Sequence, residues 1–139
     1  MYLIDTNVVS ELRRVRPHGA VLAWLQDIED SDLHLSAVTI GEIQAGIEIT
    51  REQDNAEAAE IEDWLEDVAQ TFNVVNMDAR TFRCWAQVMH RKPESLIEDA
   101  MIAATALVHN LIVVTRNIKD FHSINVATLN PFETPRMNR

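Results

Sequence analysis

Apolar and polar positions follow two rhythms along this chain. Tyr2-Leu3-Ile4 is an unbroken apolar run that stops on Asp5, and it predicts a short buried strand. Asn7 to Arg13 then places Val8, Val9 and Leu12 at helical spacing. His18 to Ile28 does the same with Val21, Leu22, Trp24, Leu25 and Ile28, and Pro17 stands near its start. Leu33-His34-Leu35-Ser36 predicts a second strand. Thr39 to Ile49 predicts a helix with Ile40, Ile43 and Ile47 on one face, and Glu52 to Gln70 a long helix burying Ala56, Ala59, Ile61, Trp64, Leu65 and Val68. Phe72 to Met77 predicts a third strand, followed by a helix over Asp78 to His90 with Phe82, Trp85, Ala86 and Met89 inward. Leu96 to His109 is apolar on nearly every side, which predicts a deeply buried helix. Leu111 to Thr115 and Val126 to Leu129 complete five predicted strands.

Strands separated by helices predict β-α-β units and a mostly parallel sheet covered on both faces. Right-handed crossovers restrict the topology further. Ligands of such sheets bind beyond the carboxyl ends of the strands, at the switch point of the strand order. That rule directs attention to acids that end strands or open helices.

Composition changes this picture little. At 139 residues the chain reads as a single domain, 1–139, long enough for a core without disulfides. The lone Cys84 excludes an internal disulfide and most cysteine-based zinc sites, and reads as a small buried apolar residue in a reducing cytosol. No basic-then-apolar leader opens the chain and no run approaches the ~18 apolar residues of a membrane span, so a cytoplasmic protein with no membrane partner is expected. The net charge of −10 argues against nucleic acid only until its distribution is read. Glu52, Asp54, Glu57, Glu60, Glu62, Asp63, Glu66 and Asp67 lie in one segment, with Arg51 as its only base. Without that segment the chain is close to balanced, so the excess reads as one solvated helix face.

Asp5 ends the first strand. Glu42 lies near the start of the helix after the second, and Asp99 near the start of the most buried helix. Asn117 and Asp120 follow the fourth strand. Each falls where a parallel sheet presents its carboxyl edge. Taken alone, Asp5 reads best as a helix cap, and Glu42, three residues after Thr39, as the acid of a capping box. Ser95 and Glu98 form another such pair, which leaves Asp99 without a capping duty, about 100° around the helix from Glu98. An unpaired carboxylate on a largely apolar helix needs a partner. Two remain open: a cation shared with Asp5 and Glu42, or an ion pair with Arg13 or Arg116. Asn117 and Asp120 read first as turn residues and second as a fourth ligand, direct or through water. Thr6, Asn7 and Thr115 read as capping or turn residues that could also orient ligands.

Together the blocks LIDTNVVSE, SAVTIGEIQAGI, EDAMIAATAL, VVTRNIKDF and the closing LNPF resemble the PIN domain, and within it the VapC/FitB-type toxin ribonucleases of bacterial toxin–antitoxin pairs. The resemblance runs over essentially the whole chain, in order. It implies a three-layer α/β/α sandwich on a five-stranded, mostly parallel sheet. It also implies an acidic cluster that binds Mg²⁺ or Mn²⁺ and cuts RNA phosphodiester bonds to leave a 5′-phosphate and a 3′-hydroxyl. The first three cluster positions fall on Asp5, Glu42 and Asp99. The fourth, acidic in many members, is Asn117 here, with Asp120 three residues on; Asp120 is expected as the extra acid and Asn117 as a neutral ligand or water holder. The resemblance further implies a homodimer and a VapB-like antitoxin whose tail enters the acidic groove.

The donor types agree with such a metal. Carboxylates and water are hard oxygen ligands suited to Mg²⁺ or Mn²⁺. His34, His90, His109 and His122 show no zinc-like spacing and read as solvated or capping residues, and His18 as surface. No Gly-rich phosphate loop or Ser-His-Asp pattern competes. Among the bases, Arg116 is expected nearest the scissile phosphate, with Arg13 behind it; both would give salt-dependent affinity without sequence choice. Two other readings stay open at this point. One is a catalytically silent metal-, RNA- or protein-binding domain, suggested by Asn117. The other is a small-molecule phosphatase, which the absence of D-x-D after the first strand disfavours.

Overall fold

The computed structural model describes residues 1–133. Strand β1 (Tyr2–Ile4) leads into helices α1 (Thr6–Glu11) and α2 (Gly19–Gln26), and β2 (Leu33–Ser36) into α3 (Ala37–Arg51) and α4 (Asn55–Thr71). Strand β3 (Asn73–Val75) leads into α5 (Ala79–Met89) and α6 (Ile97–His109). Strand β4 (Ile112–Val114) is followed by a 3₁₀ turn, Ile118–Phe121, and by β5 (Thr128–Leu129). All neighbouring strands are parallel, in the order β3-β2-β1-β4-β5.

The apolar run Tyr2-Leu3-Ile4 becomes the central strand because both of its faces are covered. Leu3 and Ile4 are fully buried. Alternation along the strand sends them to opposite layers. Leu3, in register with Val113, packs with Ala100, Ile102, Ala103 and Ala106 of α6 and with Phe121. Ile4, in register with Leu35 and Val114, packs with Val8, Val9, Val21 and Val68. These are the three layers the sequence predicts. The small residues of α6 let it lie close on the sheet. The helix ends at Asn110, in the left-handed region at φ 55°, with its N–H bonded to the Ala106 carbonyl; Asn is one of the few residues that tolerate this backbone.

Several elements start or face differently from expectation. α4 begins at Asn55, capped by Asp54, whose side chain accepts from the Glu57 N–H at 3.0 Å. Its inward stripe is Ala58, Leu65 and Val68, while Ala56 and Ala59 are exposed; at about 100° per residue they fall on the far side of that stripe. In α5 the inward line runs through Thr81, Trp85, Val88 and Met89, leaving Phe82 47% exposed and Ala86 at the surface. His18 is at the surface and caps α2, its Nδ1 accepting from the Ala20 N–H at 3.2 Å. His34 is half-buried on β2, and its Nδ1 is buried with no partner among the described residues. Cys84 is half-buried, in a surface pocket shared with Arg80 and Arg83.

The acidic segment is a solvated face, as expected. Glu57, Glu60, Asp63, Glu66 and Asp67 are exposed, and Glu62 accepts from Arg51 Nη2 at 3.0 Å and Gln44 Nε2 at 2.9 Å. Among the described residues no helix is long and apolar enough to cross a membrane.

Replacing Leu3, at 0% exposure, by Ala should lower the unfolding free energy by about 2–5 kcal/mol, through lost burial and the cavity left behind. Leu107→Ala, on α6 at 40% exposure, should change it by no more than about 0.5 kcal/mol. Urea unfolding of the two variants measures the contrast.

Candidate active site

The strand order reverses at β1, so the switch point, where such sheets bind ligands, lies beyond the carboxyl ends of β1 and β4. Asp5 stands at that point. Its backbone N–H extends the ladder to the Val114 carbonyl at 2.9 Å, and Thr115 continues the next ladder to the Leu129 carbonyl at 2.9 Å. Only 5% of Asp5 is exposed. Asp5 Oδ1 accepts from the Thr6 N–H at 2.8 Å; Oδ2 accepts from Thr115 Oγ1 at 2.8 Å and from Asn7 Nδ2 at 3.3 Å. The contact with Thr6 caps α1, the role expected of Asp5 taken alone. The other two donors go beyond capping, because they hold the second oxygen, Oδ2, from the end of β4 and from α1.

Glu42 does not serve a capping box. α3 starts earlier than expected, at Ala37, and its cap is Ser36, fully buried, whose Oγ accepts from the Val38 N–H at 3.1 Å. That moves Glu42 into the second turn and releases it. Its Oε1 lies 2.9 Å from Thr6 Oγ1, which in turn lies 3.1 Å from Thr39 Oγ1. A hydroxyl has one proton, so Thr6 donates to the carboxylate and accepts from Thr39. The second predicted capping box is not formed either. The cap position of α6 is Leu96, with no side-chain bond, and Glu98 is exposed. Glu98 and Asp99 both sit in the first turn of α6, where the helix dipole favours negative charge.

These acids share one electrostatic field. Burial pushes the Asp5 carboxyl above its ordinary range against the hydrogen bonds from Thr115 and Thr6, and the charge of Asp120 adds to the rise. Glu42 is pushed up to about 7, first by burial and then by Glu98, Asp5 and Asp99, with the Thr6 bond opposing. Asp99 is pushed up to about 6, first by burial and then by Asp5, Asp120 and Glu98. Carboxylates that raise one another in this way are close and unneutralised. The ion pairs among the described residues, Arg13–Glu57, Arg14–Glu11, Arg51–Glu48 and Arg51–Glu62, involve none of them. Asp99 therefore pairs with neither Arg13 nor Arg116, and that alternative falls.

The fourth position divides as its two residues differ. Asp120 is exposed on the 3₁₀ turn held down by the buried Phe121, and its charge reaches Asp5 and Asp99. Asn117 donates its backbone N–H to Thr115 Oγ1 at 3.0 Å, while its side chain makes no hydrogen bond among the described residues. Arg13 is turned toward α4, its Nη2 4.0 Å from Glu57 Oε1. The Arg116 guanidinium lies over the Phe132 ring, 4.5 Å from its centroid.

The donor set of Asp5, Glu42, Asp99 and Asp120 consists of hard oxygens, with the chemistry of a Mg²⁺ or Mn²⁺ site. Its oxygens are not drawn together: among the described residues no three His, Cys, Asp or Glu side chains form a closed coordination group. Mutual repulsion works against such closure, and bound positive charge would relieve it.

Two acids of this region escape the sequence reading. Glu98 adds its charge to Glu42 and Asp99; its nearness to Asp99 in one helix turn was the available signal. Glu11 is 6% exposed, with Oε2 accepting from the His18 N–H at 2.9 Å and Oε1 3.4 Å from Arg14 Nη1. Its spacing of three from the buried Val8 places it on the inner face of α1.

The chain matches the PIN domain family over residues 2–126. It is 33% identical to Toxin FitB of Neisseria gonorrhoeae, over 95% of this chain and 99% of that protein. It is 32% identical to VapC ribonuclease Y4jK of Sinorhizobium fredii, over 96% of this chain and 99% of that protein. The solved structure of FitAB bound to an IR36 DNA fragment superposes with a TM-score of 0.84 at 29% identity, covering 99% of this chain and 100% of that one. With the family matched over most of its length and these relatives over nearly all of it, the chain belongs to the PIN-domain family, in its FitB/VapC branch.

Proposed function

We propose that this chain is a ribonuclease toxin of a toxin–antitoxin pair, hydrolysing RNA phosphodiester bonds with Mg²⁺ or Mn²⁺ held by Asp5, Glu42, Asp99 and Asp120. The observation that carries the reading is the convergence of these acids, near enough for their charges to act on one another and without a basic partner among the described residues, at the switch point of a parallel sheet. The names of the relatives, a toxin and a ribonuclease, support it. The proposal includes a homodimer in the cytoplasm and an antitoxin whose basic tail enters the acidic groove.

A divalent ion in this site supplies positive charge for the phosphate and acidifies a water. The chain's own residues supply the frame. Asp5, fixed by Thr6, Thr115 and Asn7, offers an oxygen that does not turn away. Thr6 steers Glu42. Asp99 and Asp120 face Asp5 from α6 and from the turn after β4, and Asn117 beside them is a neutral amide able to hold water.

Labelled RNA should be cut with Mg²⁺ present and left intact with excess EDTA. Asp5→Asn, Glu42→Gln and Asp99→Asn should each lower the rate by at least about 100-fold, the scale of losing a group that stabilises transition-state charge. Thr115→Val, which frees one Asp5 oxygen, should cost about 10–100-fold. RNA left whole at every metal concentration would establish the silent binding domain instead.

The raised carboxyls also set a pH dependence. Glu42 titrates at about 7 instead of 4.5, and Asp99 at about 6 instead of 3.8. In that window the folded chain holds more protons than the unfolded one, so metal-free stability falls as pH rises through it. Glu11, Glu48 and Asp78, whose carboxyls are lowered, act in the opposite sense at more acid pH. In EDTA, Tm should be lower at pH 7.5 than at pH about 5.5. Glu42→Gln should flatten the difference, and Mg²⁺ should raise Tm chiefly at the higher pH.

A further inference from the structure

Arg116 follows directly on Thr115, whose hydroxyl holds Asp5. Its backbone N–H donates to Asn7 Oδ1 at 3.1 Å, and Asn7 Nδ2 lies 3.3 Å from both Asp5 Oδ2 and Thr115 Oγ1. The root of this arginine is therefore tied to the hydrogen bonds that fix the first acid of the cluster. Its head is held from the other side. The guanidinium lies over Phe132, 4.5 Å from the ring centroid. The Phe132 ring meets His18 edge-on at 5.3 Å, and its backbone N–H donates to Asn130 Oδ1 at 2.9 Å. His18 donates its backbone N–H to the buried Glu11; against the effect of burial, that bond and the Arg14 pair hold the Glu11 carboxyl below its ordinary range, and the charge of Arg116 adds a smaller part. The circuit runs from Arg116 through Phe132, His18 and Glu11 back to Arg116.

The guanidinium is held without being used. Arg13, Arg14 and Arg51 have carboxylate partners, whereas Arg116 has no ion pair and no side-chain hydrogen bond among the described residues. A cation over a ring keeps its N–H donors for another acceptor. Ordering the side chain in advance lowers the entropic cost of binding an anion, and the planar fork suits the oxygens of a phosphate.

We propose that Phe132 and Glu11 are positioning residues that hold the guanidinium of Arg116, the residue after the Thr115 that fixes Asp5, to receive a phosphate of the RNA strand. The inference rests on the ribonuclease reading and adds to it two residues outside the carboxylate set. The contact is to the backbone, so it contributes affinity and register and carries no base preference.

The test is equilibrium binding of a single-stranded RNA to full-length protein silenced by Asp99→Asn, across a range of salt, with kcat and KM measured in otherwise unaltered protein. Arg116→Ala should weaken binding about tenfold, the scale of a charged hydrogen bond. It should also reduce the slope of log affinity against log salt by about 0.7, the value of one phosphate contact on a single strand. Phe132→Leu should keep that slope, raise KM about threefold and leave kcat unchanged, and Phe132→Trp should restore KM, since an aromatic face is what holds the cation. Glu11→Gln retains an acceptor for His18 and should act in the same direction as Phe132→Leu. If Phe132→Leu folds poorly, the Arg116→Ala slope and the Trp variant still decide. An unchanged slope in Arg116→Ala, or Leu and Trp giving the same KM, overturns the proposal while leaving the ribonuclease reading intact. Wild-type protein that neither binds nor cuts RNA removes both.

Discussion

Repulsion among carboxylates gathered at one sheet edge is the constraint on which this molecule turns. Asp5, Glu42, Asp99 and Asp120 come from four separate parts of the chain, and none is neutralised by a base among the described residues. Burial and mutual charge raise three of them above their ordinary range. A fold keeps such an arrangement only when its scaffold is firm enough to oppose it. Here the scaffold is the parallel core of β1 and β4 with α6 packed tightly against one face, where Leu3, Val113, Ala100 and Ala103 are fully buried.

Hydroxyls and amides do the local work. Thr6, Asn7, Thr39 and Thr115 carry no charge, yet they determine where the charged oxygens lie. Thr115 and Asn7 join β1 to β4 through Asp5, and Thr6 joins α1 to α3 through Glu42. Hydrogen bonds to a carboxylate favour its ionised form, so the same contacts that aim Asp5 and Glu42 partly offset the cost of burying them. Charge on the rest of the surface is managed differently: the acids of α4 face solvent, and the bases near it already have partners, Arg13 in Glu57 and Arg51 in Glu48 and Glu62. A net charge of −10 therefore coexists with an arginine, next in sequence to Thr115, that makes no ion pair among the described residues.

Membership of the PIN-domain family and the local geometry support one another. The family match spans the blocks that carry Asp5, Glu42, Asp99 and Asp120. Asn117 is neutral, and the charge that reaches Asp5 and Asp99 from this part of the chain is that of Asp120.

Periodicity along the chain was enough to determine five strands, six helices and their layering, because a central parallel strand must be apolar on both faces and a covering helix on one. It brought Asp5, Glu42, Asp99, Asn117 and Asp120 forward as candidates, because polar residues that end strands or open helices are set apart from the apolar pattern; the preference for Asp120 as the extra acid came from the family resemblance. Tertiary structure alone decided which local roles those acids gave up. Ser36 took the cap that Thr39 and Glu42 would have formed, and Leu96 left Ser95 and Glu98 without one. A one-turn shift in a helix start is invisible to a pattern that repeats every turn. The inward face of α4, the burial of Glu11 and the seat of Arg116 on Phe132 were likewise decided in space. Each depends on contacts between segments far apart in the sequence, and no local spacing encodes where such segments meet.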